Sequence, residues 1–127
     1  MNSRKLLIAI LGLAMVIEFL WPLGGFLAPD MLIGAFKMTV TPDVSFLTFV
    51  LSWCLLFVAI ICTLALLLVK KSQPLGWTLS YILGLWWIGI GGSLFLIYGK
   101  VENLFLDAVK GALICAAAYA SRPRVTP

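Results

Sequence analysis

Four long apolar runs, separated by short polar stretches, limit what this chain can fold into more than any other feature of its sequence. The runs cover about residues 6–28, 43–69, 77–98 and 104–120. Because a helix needs about 20 mostly apolar residues to cross a bilayer, each run is a candidate transmembrane helix. The composition agrees, since 63% of the residues are hydrophobic and 11% are charged, against about a quarter charged in soluble domains. We therefore predict an all-α, polytopic fold, in which residues 1–127 form one integral membrane domain built as a four-transmembrane-helix bundle.

The basic residues that flank these spans predict the orientation of the chain. Six lie on one predicted side of the membrane: Arg4, Lys5, Lys70, Lys71, Arg122 and Arg124. The other side holds Lys37, Lys100 and Lys110. Because cytoplasmic loops are enriched in Lys and Arg, we expect both termini on the cytoplasmic side of a bacterial inner membrane. The acidic residues all lie in or toward the outer half: Glu18, Asp30, Asp43, Glu102 and Asp107.

Proline, glycine and short polar residues predict where the spans begin and end. Pro22, followed by a Gly-Gly pair, is expected to kink or end the first span. Residues 29–41 form either an amphipathic turn of helix in the membrane interface or an irregular loop. Thr41 is expected to cap the second span. Residues 72–76 (SQPLG) are expected to form a turn before the third span, and Asn103 to cap the fourth.

Small residues predict the surfaces through which the spans pack. Helices in lipid gain little from burying apolar groups against each other and associate through close backbone approach. On the third span the expected surface is Ser80, Gly84 and Gly91, and on the fourth it is Ala108, Ala112, Ala116 and Ala120. A seam on the second span consists of Ser45, Thr48, Ser52, Ala59 and Cys62. A flexible transport helix is the alternative explanation for the glycine content.

Three charged residues lie inside the predicted spans, away from their first residues, and are the candidate site residues: Glu18, Asp107 and Lys110. Glu18 would lie about 12 Å beneath the outer boundary, where a carboxylate needs a partner or a proton. Asp107 and Lys110 share a helix face and can pair, or Lys110 can reach Glu18. The cluster serves as a structural ion pair, as a ligand or proton site, or as a contact to another subunit.

The face that carries Asp107 and Lys110 points almost opposite to the alanine stripe, at 100° per residue. The fourth span must therefore satisfy two surfaces. Either it is sandwiched inside the bundle, or one of its faces docks onto another protein.

The residue types needed for catalysis or metal binding are poorly represented. The chain has no histidine, and Cys54, Cys62 and Cys115 lie inside apolar runs without a CxxC spacing. We expect no metal, no cofactor and no enzymatic activity. The basic residues are scattered beside the spans and form no stripe, so we expect no binding to nucleic acid. The favoured function is an accessory, assembly or structural subunit that packs against a larger membrane complex or forms a homo-oligomer.

Several sequence features resemble the small multidrug resistance exporters. These are the acidic Glu18 in the first span, the glycine-rich residues 89–92 (GIGG) and residues 113–116 (LICA). The resemblance implies a small proton-coupled transporter, or a protein that binds lipophilic ligands, in which Glu18 exchanges protons for cations. The chain departs from that family in its long first loop, in Asp107 and Lys110, and in its strong basic-residue bias.

The layout of the chain also resembles the DoxX-like group of small four-helix bacterial membrane proteins. The residues that carry this resemblance are 27–30 (LAPD), 41–43 (TPD) and 103–107 (NLFLD). It implies a four-helix membrane fold with an accessory role and no catalytic residues.

Overall fold

The computed structural model describes residues 2–123, and Arg124, one of the basic residues used to predict orientation, lies outside them. The helices are α1 (Ser3–Leu27), α2 (Pro29–Ala35), α3 (Pro42–Lys70), α4 (Pro74–Tyr98) and α5 (Val101–Ser121). No β-strand occurs within residues 2–123. By length and composition α1, α3, α4 and α5 can each cross a membrane, so the all-α prediction with four membrane-spanning helices is confirmed.

The chain divides into two compact units. The larger unit consists of the residues up to Ala14 and those from Cys62 onward, and the smaller unit is Met15–Ile61. Helices α4 and α5 belong to the larger unit and α2 to the smaller, while α1 and α3 contribute residues to both. The assignment of the chain to one integral membrane domain stays a prediction.

The first connection, residues 29–41, is partly helical, which agrees with the predicted turn of helix and not with a wholly irregular loop. Pro29–Ala35 forms α2, with Pro29 at its start and Asp30 in its first turn. Proline suits the first turn because its fixed φ is helical and its missing N–H would have no helical acceptor there. The capping prediction for Thr41 is also confirmed, because the backbone N–H of Val44 donates to Oγ1 of Thr41 at 3.3 Å.

Pro22 does not end α1, so that part of the prediction was wrong. The helix continues through Pro22 to Leu27, and the N–H of Ala28 still donates to the carbonyl of Gly24 at 2.9 Å. Proline removes only its own N–H, so the bond from position 22 to the carbonyl of Glu18 cannot form while the following bonds can.

The boundaries of α4 and α5 also differ from the predicted ones. Helix α4 begins at Pro74, inside the stretch expected to be a turn, because proline is well suited to the first helical position. It ends at Tyr98, and the next residue, Gly99, has a left-handed φ of 64°. Helix α5 starts at Val101, so Asn103 lies within it and caps nothing, which corrects the prediction for that residue.

Helices α4 and α5 pack through glycines that face each other. A Cβ atom added to Gly84 would lie 2.8 Å from the carbonyl oxygen of Gly111 and would also clash with Sγ of Cys115. Ser80, Gly84 and Gly91 are all buried. The packing surface predicted for the third span is therefore present in α4.

The alanine stripe predicted for the fourth span does not serve this packing. Ala112, Ala116 and Ala120 are exposed, and only Ala108 lies against α4, where its backbone N would be 2.5 Å from a Cβ on Gly91. After Lys110, the buried residues of α5 are Gly111, Ile114, Ala117 and Ala118. The close contact with α4 is made at Gly111, and packing through the alanine stripe, inside the bundle or against another protein, stays a prediction.

Candidate functional site

The candidate site in the larger unit is a group of polar side chains that we call the α5 cluster: Asn103, Asp107 and Lys110 of α5 with Trp87 of α4. Nζ of Lys110 lies 3.3 Å from Oδ1 of Asp107, and Nδ2 of Asn103 donates to Oδ2 of the same carboxylate at 3.0 Å. The ammonium of Lys110 also lies 4.3 Å from the centroid of the Trp87 ring. Each oxygen of the Asp107 carboxylate therefore has a donor, and the lysine contacts both a negative charge and an aromatic face.

The position of Asp107 depends on a local change in the helix. Leu104–Val109 is π-helical, with backbone bonds that span five residues instead of four. Asn103 directly precedes this segment, Asp107 lies within it, and Lys110 follows where regular α-helix resumes. Segments of this kind within α-helices occur often at functional positions, because they displace side chains that a regular helix would place elsewhere.

Gly91 of α4 provides the space for this segment. A Cβ atom at Gly91 would lie 2.5 Å from the backbone N of Ala108 and 2.6 Å from the carbonyl oxygen of Asn103. These two atoms are five residues apart, the spacing of a π-helical hydrogen bond. The close approach of α4 therefore occurs directly over the irregular turn.

The α5 cluster is suited to fixing one geometry of α5 against α4. The side chains of Lys110 and Asp107 are 13% and 19% exposed, and their charges balance within the span. Among residues 2–123 there is no group of three or more His, Cys, Asp or Glu side chains placed to hold a metal ion.

Glu18, the third candidate residue, lies in the smaller unit and is 3% exposed. It shares its helix face with Pro22 and Gly25, which are also buried. The seam residue Ser52 is buried in the same unit, and its hydroxyl donates to the carbonyl of Thr48 at 2.8 Å. The structure thus places Glu18 inside the protein and not toward lipid, while its pairing with Lys110 stays a prediction.

Sequence reasoning assigned Arg4 only to orientation, but its guanidinium has a structural task in the larger unit. Nη2 of Arg4 donates to the carbonyl oxygens of Val69 at 3.0 Å and Lys70 at 2.7 Å, and Nε donates to Val69 at 3.3 Å. These are carbonyls of the last turn of α3, where the regular helical bonds run out, and the carbonyl of Val69 also accepts from the backbone N–H of Ser72 at 3.0 Å. A contact across 65 positions has no local sequence signal that could have revealed it.

One side of α5 is exposed within residues 2–123. It carries Ala112, Leu113, Ala116, Tyr119 and Ala120, all exposed. The opposite side contains the buried Gly111, Ile114 and Ala118. We call the exposed side the open α5 face.

No protein-family model, curated protein or solved structure matches this chain. The resemblances to the small multidrug resistance exporters and to the DoxX-like group therefore stay predictions.

Proposed function

We propose that this protein is a small multi-pass accessory or assembly subunit, without enzymatic activity, that packs beside another membrane protein or a second copy of itself through α5. The observation that carries the proposal is the exposure of Ala112, Ala116 and Ala120 at four-residue spacing. Small residues in a membrane span permit the close backbone contact by which helices associate in lipid. Such a role agrees with the DoxX-like layout.

The α5 cluster supports the same role from the other side of the helix. The contacts of Lys110 with Asp107 and Trp87 fix α5 against α4, and the open α5 face is thereby held in a defined orientation. A rigid surface loses little conformational entropy when a partner binds. The cluster is thus a support for docking, with no catalytic role of its own.

The proposed location is a bacterial inner membrane with both termini in the cytoplasm. Four helices are long and apolar enough to cross a membrane, and an even number of crossings is what this topology requires; Lys and Arg near the span ends favour the cytoplasm for the side of the termini. Single cysteines at the exposed positions Gln73 and Lys100 test this arrangement in a background without the native cysteines. A membrane-impermeant maleimide added to intact cells should label Lys100→Cys and leave Gln73→Cys unlabelled; the reverse pattern contradicts the orientation.

The docking proposal is tested by making the open α5 face bulky. The tagged protein is purified in mild detergent from its own membrane, and copurifying membrane proteins and self-association are quantified by mass spectrometry. Ala116→Leu should lower the recovery of a stoichiometric partner or second copy, since overpacking a fitted interface costs about 1–3 kcal/mol. Ala9→Leu is the matched control, because Ala9 is also an exposed alanine within a span. A lone, monodisperse monomer for the unmodified protein contradicts the proposal.

A second candidate is a small proton-coupled transporter or lipophilic-ligand-binding protein that uses Glu18. Two observations in the smaller unit favour it: Glu18 is 3% exposed within a span, and an apolar groove of about 310 Å³ is lined by Ile17, Leu20, Trp21 and Leu32. An intramembrane carboxylate is a common element of proton relays. Proton-driven uptake of a lipophilic cation into vesicles, abolished in Glu18→Gln, would establish this function, and equal uptake by both proteins would exclude the role of Glu18.

A further inference from the structure

A cavity of about 110 Å³ lies in the larger unit where α4 begins and α5 ends. Its lining residues are Pro74, Trp77, Thr78, Arg122 and Pro123. Nε1 of Trp77 donates to Oγ of Ser121 at 3.0 Å, and the indole is 3% exposed, so one wall of the cavity is held in place. Pro74, Trp77 and Thr78 of the cavity wall belong to α4, while Arg122 and Pro123 directly follow the last residue of α5.

Two lining side chains offer hydrogen-bond donors to a bound group. Within residues 2–123 the guanidinium of Arg122 forms no ion pair or hydrogen bond, and neither does the hydroxyl of Thr78. Both residues are exposed. Arginine recognises phosphate through paired N–H donors in a planar group, and a hydroxyl supplies a further donor.

The charge around the cavity is positive. Four basic residues of the larger unit lie at one end of α1 or α3: Arg4, Lys5, Lys70 and Lys71. Under the proposed orientation, these helix ends lie on the same side of the membrane as the start of α4 and the end of α5, where the cavity is. The two acids of that unit, Glu102 and Asp107, lie toward the start of α5, and the 15 positions from Asp107 to Arg122 correspond to about 20 Å of helix. At this distance screening by salt removes most of their effect.

We infer that this cavity binds the phosphate of an anionic phospholipid headgroup. The ends of two spans lie at the level of the headgroups, where Trp residues such as Trp77 are also enriched. Leu75, next to the lining residue Pro74, is 54% exposed and offers an apolar surface to the acyl chains, which a free phosphate ion could not use. The site is independent of the open α5 face and of the docking proposal.

Native mass spectrometry of the full chain in mild detergent, titrated with phosphatidylglycerol, tests the inference. Arg122→Gln should weaken binding about tenfold, the effect of losing one charged hydrogen bond. Thr78→Val should weaken it about threefold, as expected for a neutral bond. Arg122→Lys keeps the charge without the paired donors and should fall between the unmodified protein and Arg122→Gln.

Lys71→Gln is the matched control, since Lys71 is exposed at the same end but does not line the cavity. It should change binding less than about twofold, as expected for one exposed, screened charge. Equal weakening in Lys71→Gln and Arg122→Gln would show diffuse attraction and overturn the site. Unchanged binding in Arg122→Gln, or equal affinity for phosphatidylcholine, would overturn it as well. Displacement of the lipid by inorganic phosphate at a similar concentration would overturn its assignment to a lipid.

Discussion

Nζ of Lys110 lies 4.3 Å from the centroid of the Trp87 ring, and the two residues belong to neighbouring helices of the same unit. The same ammonium is 3.3 Å from Oδ1 of Asp107, one turn earlier on α5. Trp87 is 3% exposed, so the lysine is fixed on an immobile ring rather than extended toward the membrane surface. A lysine in this setting contributes to helix packing through its charge as well as through its apolar stem.

Lys110→Met should lower the thermal stability of the protein in mild detergent. The substitution keeps most of the apolar stem but leaves the Asp107 carboxylate without its cation, which costs about 1–3 kcal/mol for a largely buried group. A cycle with Asp107→Asn should give a coupling of at least about 0.5 kcal/mol. Lys100→Met, at an exposed position, is the control and should change stability by less than about 0.5 kcal/mol. Strictly additive losses for Lys110→Met and Asp107→Asn would contradict a direct interaction.

Gly84→Ala should destabilise the contact between α4 and α5. The added methyl group would meet the carbonyl oxygen of Gly111 at 2.8 Å, so the helices must separate at a cost of about 1–3 kcal/mol. Gly89→Ala on the same helix is the control, because nothing lies within 4 Å of the added atom. Alanine has the higher helix propensity, so Gly89→Ala should leave the melting temperature unchanged or raise it. The same loss in both variants would point to helix backbone effects instead of packing.

Arg4→Gln should loosen the end of α3. The substitution removes the guanidinium donors from the carbonyls of Val69 and Lys70, which is worth about 1 kcal/mol for bonds at a partly exposed site. Amide hydrogen exchange should quicken in the last turn of α3 more than in its middle. Lys5→Gln removes a neighbouring exposed charge and should leave that exchange unchanged. An equal effect of the two substitutions would show that general charge, and not the hydrogen bonds, stabilises this end.

The parts of the fold that follow from local chemistry were predictable. The apolar runs predicted all four spans because hydrophobic length is a property of the sequence itself. Thr41 caps α3 because a hydroxyl next to Pro42 has the N–H of Val44 within reach. Gly84 and Gly91 mark close approach because no other residue leaves the backbone so accessible.

The features that the sequence did not predict depend on contacts between distant residues or on a change of helical period. A regular period of 3.6 residues predicts one shared face for Ala108, Ala112, Ala116 and Ala120, but the π-helical segment Leu104–Val109 alters the register before Ala112. The role of Arg4 depends on the place where α3 ends in space. Propensity for a regular helix predicts neither feature.

Gly91→Ala should disrupt the π-helical segment itself. Its methyl group would lie 2.5 Å from the backbone N of Ala108 and 2.6 Å from the carbonyl oxygen of Asn103, the pair spaced for a π-helical bond. We expect faster amide exchange across Leu104–Val109 and a smaller Asp107–Lys110 coupling in the Gly91→Ala background, because the carboxylate sits on the displaced turn. Gly92→Ala is the control at the adjacent position, where nothing lies within 4 Å of the added atom, and both quantities should stay unchanged. If Gly91→Ala leaves exchange and coupling as they are, the close approach of α4 does not hold this segment, and the irregular turn is then a property of the sequence of α5 alone.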